Sequence, residues 1–171
     1  MKYEPYNLII PEDKREDINT KILAIVEENV KEHDITPADI FNSYTGKGGL
    51  HGLDFDNFDN YHQFSEAKKE YEQGQFFTPP PVCRQIVELV KPDICDLVCD
   101  PTCGTGNFFN ALPIEQNCYG CEVDPAAVKV AKYLYPEANI IKKDIRDYKP
   151  GVFFDYIFGN PPFNLNFGPH S

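Results

Sequence analysis

The sequence predicts an α/β protein: an open sheet of parallel strands with helices on both faces, preceded by a helical extension. Three observations carry this. From residue 75 onward, short apolar runs alternate with helix-period segments, separated by Pro and Gly. That alternation is the pattern of βαβ units. Residues 1–73 are polar and show helical spacing only. No internal repeat or low-complexity tract interrupts either part. A chain of 171 residues with 42% hydrophobic content can bury a real core, as one domain or one domain plus an appendage. The expected division is a helical N-terminal extension over 1–73 and a sheet domain over 74–171.

In the extension, Ile18, Ile22, Ile25, Val26 and Val30 repeat at helical spacing behind the acidic opening Glu12-Asp13. Thr36-Pro37-Ala38-Asp39 reads as an N-cap followed by proline at the first helical position. Thr45-Gly46-Lys47-Gly48-Gly49 reads as a flexible loop without the register or preceding strand of a phosphate loop. A third helix is expected over 57–73, with Phe58, Tyr61, Phe64 and Tyr71 as core candidates and Gly74 as its stop.

The sheet region reads in order as helix 82–90, strand 96–100, helix 107–112 and strand Cys118–Glu122. Helix Pro125–Leu134, strand 138–142 and a last strand at 155–159 follow. The apolar run Tyr156-Ile157-Phe158 of that last strand reads as buried.

The formal net charge is −11. A protein that grips duplex DNA by itself usually carries a basic surface, because phosphate neutralisation supplies much of the affinity. If this chain acts on DNA, another stretch of polypeptide is expected to supply the grip. No apolar run approaches the length of a membrane span, and the opening Met1-Lys2-Tyr3-Glu4-Pro5 has no secretory core, so a cytoplasmic location is expected. Of the cysteines, Cys118 and Cys121 have the spacing of half a zinc site, but no second pair follows. Alternation along a strand, with reduced and mostly buried thiols, is the preferred reading, and no metal is expected.

Chemistry concentrates at the strand ends. Asp100-Pro101-Thr102-Cys103-Gly104-Thr105-Gly106-Asn107 joins a strand to a helix, and its glycines permit a tight turn and close approach to a ligand at the helix's positive end. Glu122 ends the next strand, where a carboxylate can accept from both hydroxyls of a ribose. Asp144 follows the third strand and could accept from an adenine amino group. In Gly74-Gln75-Phe76-Phe77-Thr78-Pro79-Pro80-Pro81, Thr78 can cap the helix that begins among the prolines, leaving N–H groups for a ligand carboxylate. Phe76 or Phe77 could lie against that ligand. After the last strand, Asn160-Pro161-Pro162-Phe163 offers a side-chain acceptor, stiffly held carbonyls and a flat ring. Such a set suits a planar ring bearing an exocyclic amine.

The elements FFTPPP, DPTCGTGNF, YGCEVDP, KKDI and GNPPF together resemble the S-adenosylmethionine-dependent N6-adenine DNA methyltransferases of the γ class. Most similar are the modification subunits of type I and related restriction–modification systems. The resemblance covers about residues 74–163. It implies a partial Rossmann-like methyltransferase fold of about four strands ordered 3-2-1-4. It also implies S-adenosylmethionine as cofactor, held by Phe77, Thr78, Asp100, Thr102, Gly104, Gly106, Asn107, Glu122 and Asp144. Phe77 and Thr78 would meet the methionine end, Asp100, Gly104 and Gly106 the amino-acid portion, Glu122 the ribose and Asp144 the adenine. Asn160 and Pro161, with Pro162 and Phe163 completing the catalytic quartet, would accept from the target amine while Phe163 stacks on the base. Such a base must be flipped out of the duplex.

The sequence ends eleven residues after Asn160, whereas members of that family continue with further strands and a target-recognition region. The expectation is therefore a fragment, weak or inactive alone, with the fourth strand at a bare edge. Its partners would be DNA and a specificity or restriction subunit. Two alternatives stay open: methylation of a glutamine amide or an RNA amine, which similar quartets serve, and a non-catalytic docking module of a restriction–modification or mobile-element complex.

Overall fold

The computed structural model describes residues 1–6, 10–28, 34–46, 56, 58–72 and 77–162. The first helix, α1, spans Glu12–Glu28 and buries Ile22, Ile25 and Val26, with Ile18 packed at the edge. The second, α2, spans Pro37–Ser43. Thr36 caps it as expected: its hydroxyl accepts from the Asp39 N–H at 3.1 Å, and the Asp39 carboxylate accepts from the Thr36 N–H at 2.8 Å. This reciprocal box satisfies two of the helix's orphan donors. Helix α3 spans Tyr61–Glu72 and α4 spans Pro80–Val90.

Four short strands follow, β1 Val98–Asp100, β2 Cys118–Glu122, β3 Asn139–Lys142 and β4 Tyr156–Ile157. Helix α5 (Asn107–Ala111) joins β1 to β2, and α6 (Pro125–Leu134) joins β2 to β3. The sheet is parallel throughout, in the order β3-β2-β1-β4. Val98 pairs with both Cys118 and Tyr156, and Glu122 pairs with Lys142. That register brings the carboxyl ends of all four strands to one edge of the sheet. Open parallel sheets bind their ligands at this edge.

The extension is not a separate core. Ile22, Ile40 and Phe41 belong to the same apolar cluster as Val130, Leu134, Tyr135 and Phe108. Helix α1 packs on α6, and Lys129 bridges to Glu27 at 2.5 Å. The Tyr3 backbone exchanges two hydrogen bonds with the buried Asn110 side chain, at 2.7 and 2.9 Å, and the Tyr3 hydroxyl donates to the Leu134 carbonyl. Asn110 thus has partners for its buried amide, which would otherwise be costly.

Several expectations need correction. Tyr61 is 71% exposed and not a core residue; Phe58 and Phe64 are half-buried and pack edge to face on each other at 5.6 Å. The run Tyr156-Ile157-Phe158 is not uniformly buried: Phe158 is, but Ile157 is 68% exposed on the edge strand. Among the described residues β4 pairs with β1 alone, as expected for a fourth strand at the edge. Cys118 and Cys121 lie three apart on β2, so alternation sets them on opposite faces. Both are nonetheless buried, because both faces of the sheet are covered there. Cys83, Cys99 and Cys103 are buried too, and only Cys95 is exposed. Val30, the 47–50 loop, the Tyr71 side chain, Gly74, Phe76 and Phe163 lie outside the described residues.

Candidate active site

The loop after β1 is fastened from three sides. Asp100 Oδ1 accepts from the Thr102 N–H at 3.0 Å, the Cys103 N–H donates to the Cys121 carbonyl at 3.0 Å, and the Gly104 N–H donates to Glu122 Oε2 at 2.9 Å. Gly104 and Gly106 both have positive φ, +55° and +88°, which L side chains rarely adopt. A Cβ at Gly104 would stand 2.7 Å from the Phe77 ring, and one at Gly106 would meet Tyr135 and Phe109 below 3.0 Å. Both positions therefore need glycine for space as well as for conformation.

Asp100 is 4% exposed. Burial pushes its carboxyl up to about 7; the Thr102 N–H opposes this, and the nearby Glu122 charge adds to it. The Thr102 hydroxyl lies near enough to influence that carboxyl, yet it lacks hydrogen-bonding geometry. Its Oγ1 is a buried polar atom without a partner among the described residues.

Phe77, Thr78, Asp100, Thr102, Gly104, Asn107 and Asn160 line a single crevice. Cys103, Thr105 and Phe108 complete its wall; none was singled out in the sequence, although Cys103 and Thr105 stand within the glycine-rich motif. Asn160 reaches the crevice because Phe158 donates to the Cys99 carbonyl at 2.8 Å. Gly159 then passes against Asp100 and Thr102, where a Cβ would stand 3.4 Å from Asp100 Oδ1. The Asn160 side chain makes no hydrogen bond among the described residues. Pro161 and Pro162 follow it, exposed.

Thr78 does not cap α4. The N-cap is Pro79, with no side-chain bond, and Pro80 and Pro81 contribute no N–H to a ligand. The next two N–H groups, of Val82 and Cys83, both turn back to the Pro79 carbonyl. The expected helix-end donors are therefore absent, and the Thr78 carbonyl instead accepts from the Asn107 side chain at 2.8 Å, tying this segment to the glycine loop. Helix α5 is also shorter than expected, at five residues, and adds little dipole.

The other two strand-end acids are engaged by protein. Glu122 accepts three backbone N–H groups: Gly104 on Oε2, and Val123 and Asp124 on Oε1 at 2.8 and 2.9 Å. A carboxylate has about four acceptor sites, so one remains for a ligand hydroxyl. Asp144 holds Arg146 in a fork, at 2.9 and 2.7 Å, and caps the turn Ile145–Asp147. Arg146 pulls its carboxyl down to about 2. Glu122, Asp144 and Gly106 do not line the crevice; Glu122 stands next to it through the Gly104 N–H, and Gly106 serves the turn beneath it.

Phe77 makes the crevice narrow. Its ring lies on Gly104 and the remaining cavity volume is about 20 Å³, little more than one water occupies. Phe77 also packs against Tyr44, ring centroids 6.1 Å apart. Tyr44 is half-buried; burial and the Asp124 charge push its phenol up to about 12. No signal in the sequence pointed to Tyr44, which stands in the extension. Among the described residues no group of three or more metal-ligating side chains occurs, and no helix is long and apolar enough to cross a membrane.

Comparison with known proteins bears on the family of the chain. Residues 60–171 match the family described as N-6 DNA Methylase. The type II methyltransferase M.VspI of Vibrio sp. (strain 343) is 30% identical over 118 residues, 61% of this chain and 29% of that protein. The type II methyltransferase M.CvrRI of Paramecium bursaria Chlorella virus XZ-6E is 30% identical over 110 residues, 60% of this chain and 28% of its own. The type I restriction enzyme MjaIX methylase subunit of Methanocaldococcus jannaschii is 33% identical over 112 residues, 53% of this chain and 19% of that subunit. The chain thus spans less than a third of the length of these relatives. With a match over residues 60–171 and the glycine loop and Asn160 set on one crevice, this chain belongs to the N-6 DNA methylase family.

Proposed function

We propose that this chain carries the S-adenosylmethionine site and the amine clamp of an adenine-N6 DNA methyltransferase. The single observation behind this is that Asn160 lines the same crevice as Asp100, Thr102 and Gly104. The residues present suit the cofactor. Asp100 offers a carboxylate to an ammonium group, Thr102 Oγ1 is a buried polar atom beside it, and Glu122 keeps one acceptor site for a ribose hydroxyl. Asp144 would accept from the adenine only beside or in place of Arg146.

When bound, S-adenosylmethionine supplies a sulfonium methyl group. The chain's part is to hold and orient the acceptor. An aromatic amine is a poor nucleophile because its lone pair is delocalised into the ring. Asn160 Oδ1 and the Pro161 carbonyl accept its two hydrogens, which favours a pyramidal nitrogen with its lone pair free. Phe163 stacks on the flipped base. Positioning and electrostatics supply most of the rate. With a net charge of −11, the chain leaves the grip on DNA to other polypeptide, which for the type I relatives suggests a specificity subunit. Action on DNA suggests the cytoplasm as its place.

The test has two parts. Titration calorimetry with S-adenosylmethionine is expected to show binding by wild type and by Asn160→Ala, and at least tenfold weaker binding by Glu122→Ala. Transfer of labelled methyl to adenine-containing DNA, with glutamine peptide and RNA as alternative acceptors, is expected to be weak for wild type alone and lost in Asn160→Ala. Absence of cofactor binding by wild type would end this reading.

A further inference from the structure

The Phe77 ring rests on Gly104 and lines the crevice, so a ligand that lies over Gly104 meets that ring. What packs against that ring then bears on where it can go. Tyr44 does so, ring centroids 6.1 Å apart and planes tilted by 30°. Tyr44 is itself held firmly. Its N–H donates to the Ile40 carbonyl at 3.0 Å, ending α2. The next residue is clamped by Asn19 of α1: the Thr45 N–H donates to Asn19 Oδ1 at 3.0 Å. Asn19 Nδ2 donates back to Thr45 Oγ1 at 3.1 Å and to the Gly46 carbonyl at 3.0 Å. Helix α1 in turn packs on α6, which follows β2 and its Glu122. A continuous set of contacts therefore runs from the sheet, through the N-terminal helices, to the ring that lines the crevice. Yet residues 12–46 lie outside the stretch that matches the family.

We propose that Tyr44 is a positioning residue of the methyl-donor site: its ring packs against Phe77 and fixes where Phe77 stands once a ligand occupies the space over Gly104. The N-terminal helices are then part of the binding site rather than an appendage. This rests on the methyl-donor reading above. An aromatic pair of this kind contributes enough to predict a loss of affinity of about three- to tenfold when the Tyr44 ring is removed.

The test is calorimetric titration of the 171-residue chain with S-adenosylmethionine, run beside thermal unfolding so that only folded protein is compared. Tyr44→Phe keeps the ring and is expected to bind within about twofold of wild type. Tyr44→Ala is expected to bind about three- to tenfold more weakly at a temperature where circular dichroism shows it folded. Tyr44→Leu keeps apolar bulk, serves if the alanine variant does not fold, and is expected to lose at least about threefold. A purely structural residue would lower the melting temperature and leave the affinity of the folded chain unchanged. Unchanged or tighter binding by both Tyr44→Ala and Tyr44→Leu overturns the proposal. If wild type itself binds nothing, the methyl-donor reading falls and this inference with it, a result distinct from equal binding by wild type and variants.

Discussion

The crevice has two banks of unequal construction. On the β1 side, the glycine loop is fixed by hydrogen bonds to β2, to Glu122 and to its own Asp100, and its glycines are wedged against Phe77, Tyr135 and Phe109. On the β4 side, Asn160 follows a two-residue edge strand, Ile157 and Phe153 face solvent at 68% and 97%, and the Asn160 amide has no partner among the described residues. The comparison teaches that the glycine loop expected to hold the methyl donor is fixed in advance, with the Phe77 ring over it left to adjust. The side expected to hold the target keeps its polar group uncommitted among the described residues. An unpaired acceptor is what a clamp for an incoming amine requires, since a group already satisfied gains nothing by binding.

The contrast predicts unequal responses to substitution. Gly106→Ala should be the most damaging change. It combines an unfavourable φ with contacts below 3.0 Å to the fully buried Tyr135 ring, and should cost about 2–5 kcal/mol in urea unfolding.

Asp100→Asn should act through pH. The folded chain holds the Asp100 proton up to about 7, whereas the unfolded chain releases it near 3.8. Between those values the folded state binds more protons, so wild-type stability falls with rising pH and levels off above about 7. At pH 8 Asp100→Asn should be more stable than wild type, by about 2–4 kcal/mol at most, and the difference should vanish near pH 4. For the same reason, wild-type affinity for a cationic methyl donor should rise as pH rises through about 7. Calorimetry at pH 6 and 8 would show this, and Asp100→Asn should lack the rise.

Asn160→Ala should be the mildest in stability, within about 0.5 kcal/mol, because its side chain makes no hydrogen bond among the described residues. A large stability loss there would mean that the amide is structural and that the two banks do not differ as described.

The strands and the crossover helix α6 were readable from the sequence because they follow local rules: apolar runs, a Thr36 or Asp124 cap, proline at the first helical turn. The motif DPTCGTGN announced a tight turn between β1 and α5 for the same reason. Other features could not be read this way. Whether Thr78 caps α4 depended on Pro80 and Pro81 offering no N–H and on the Pro79 carbonyl taking the next two. Whether Asp144 is free depended on Arg146, two residues on, folding back over it. That Ile157 faces solvent depended on β4 lying at the edge of the sheet.

The sequence by itself determined where the chain bends, which segments carry period-2 or period-3.6 apolar faces, and which acids end the strands. These follow from backbone sterics and from the few residues nearest in the chain. Only the tertiary structure decided that Asn160 lines one crevice with Thr102, fifty-eight positions earlier, and that Tyr44 packs against Phe77. Such neighbours are set by sheet order and by helices packing into a shared core, and those depend on every element at once.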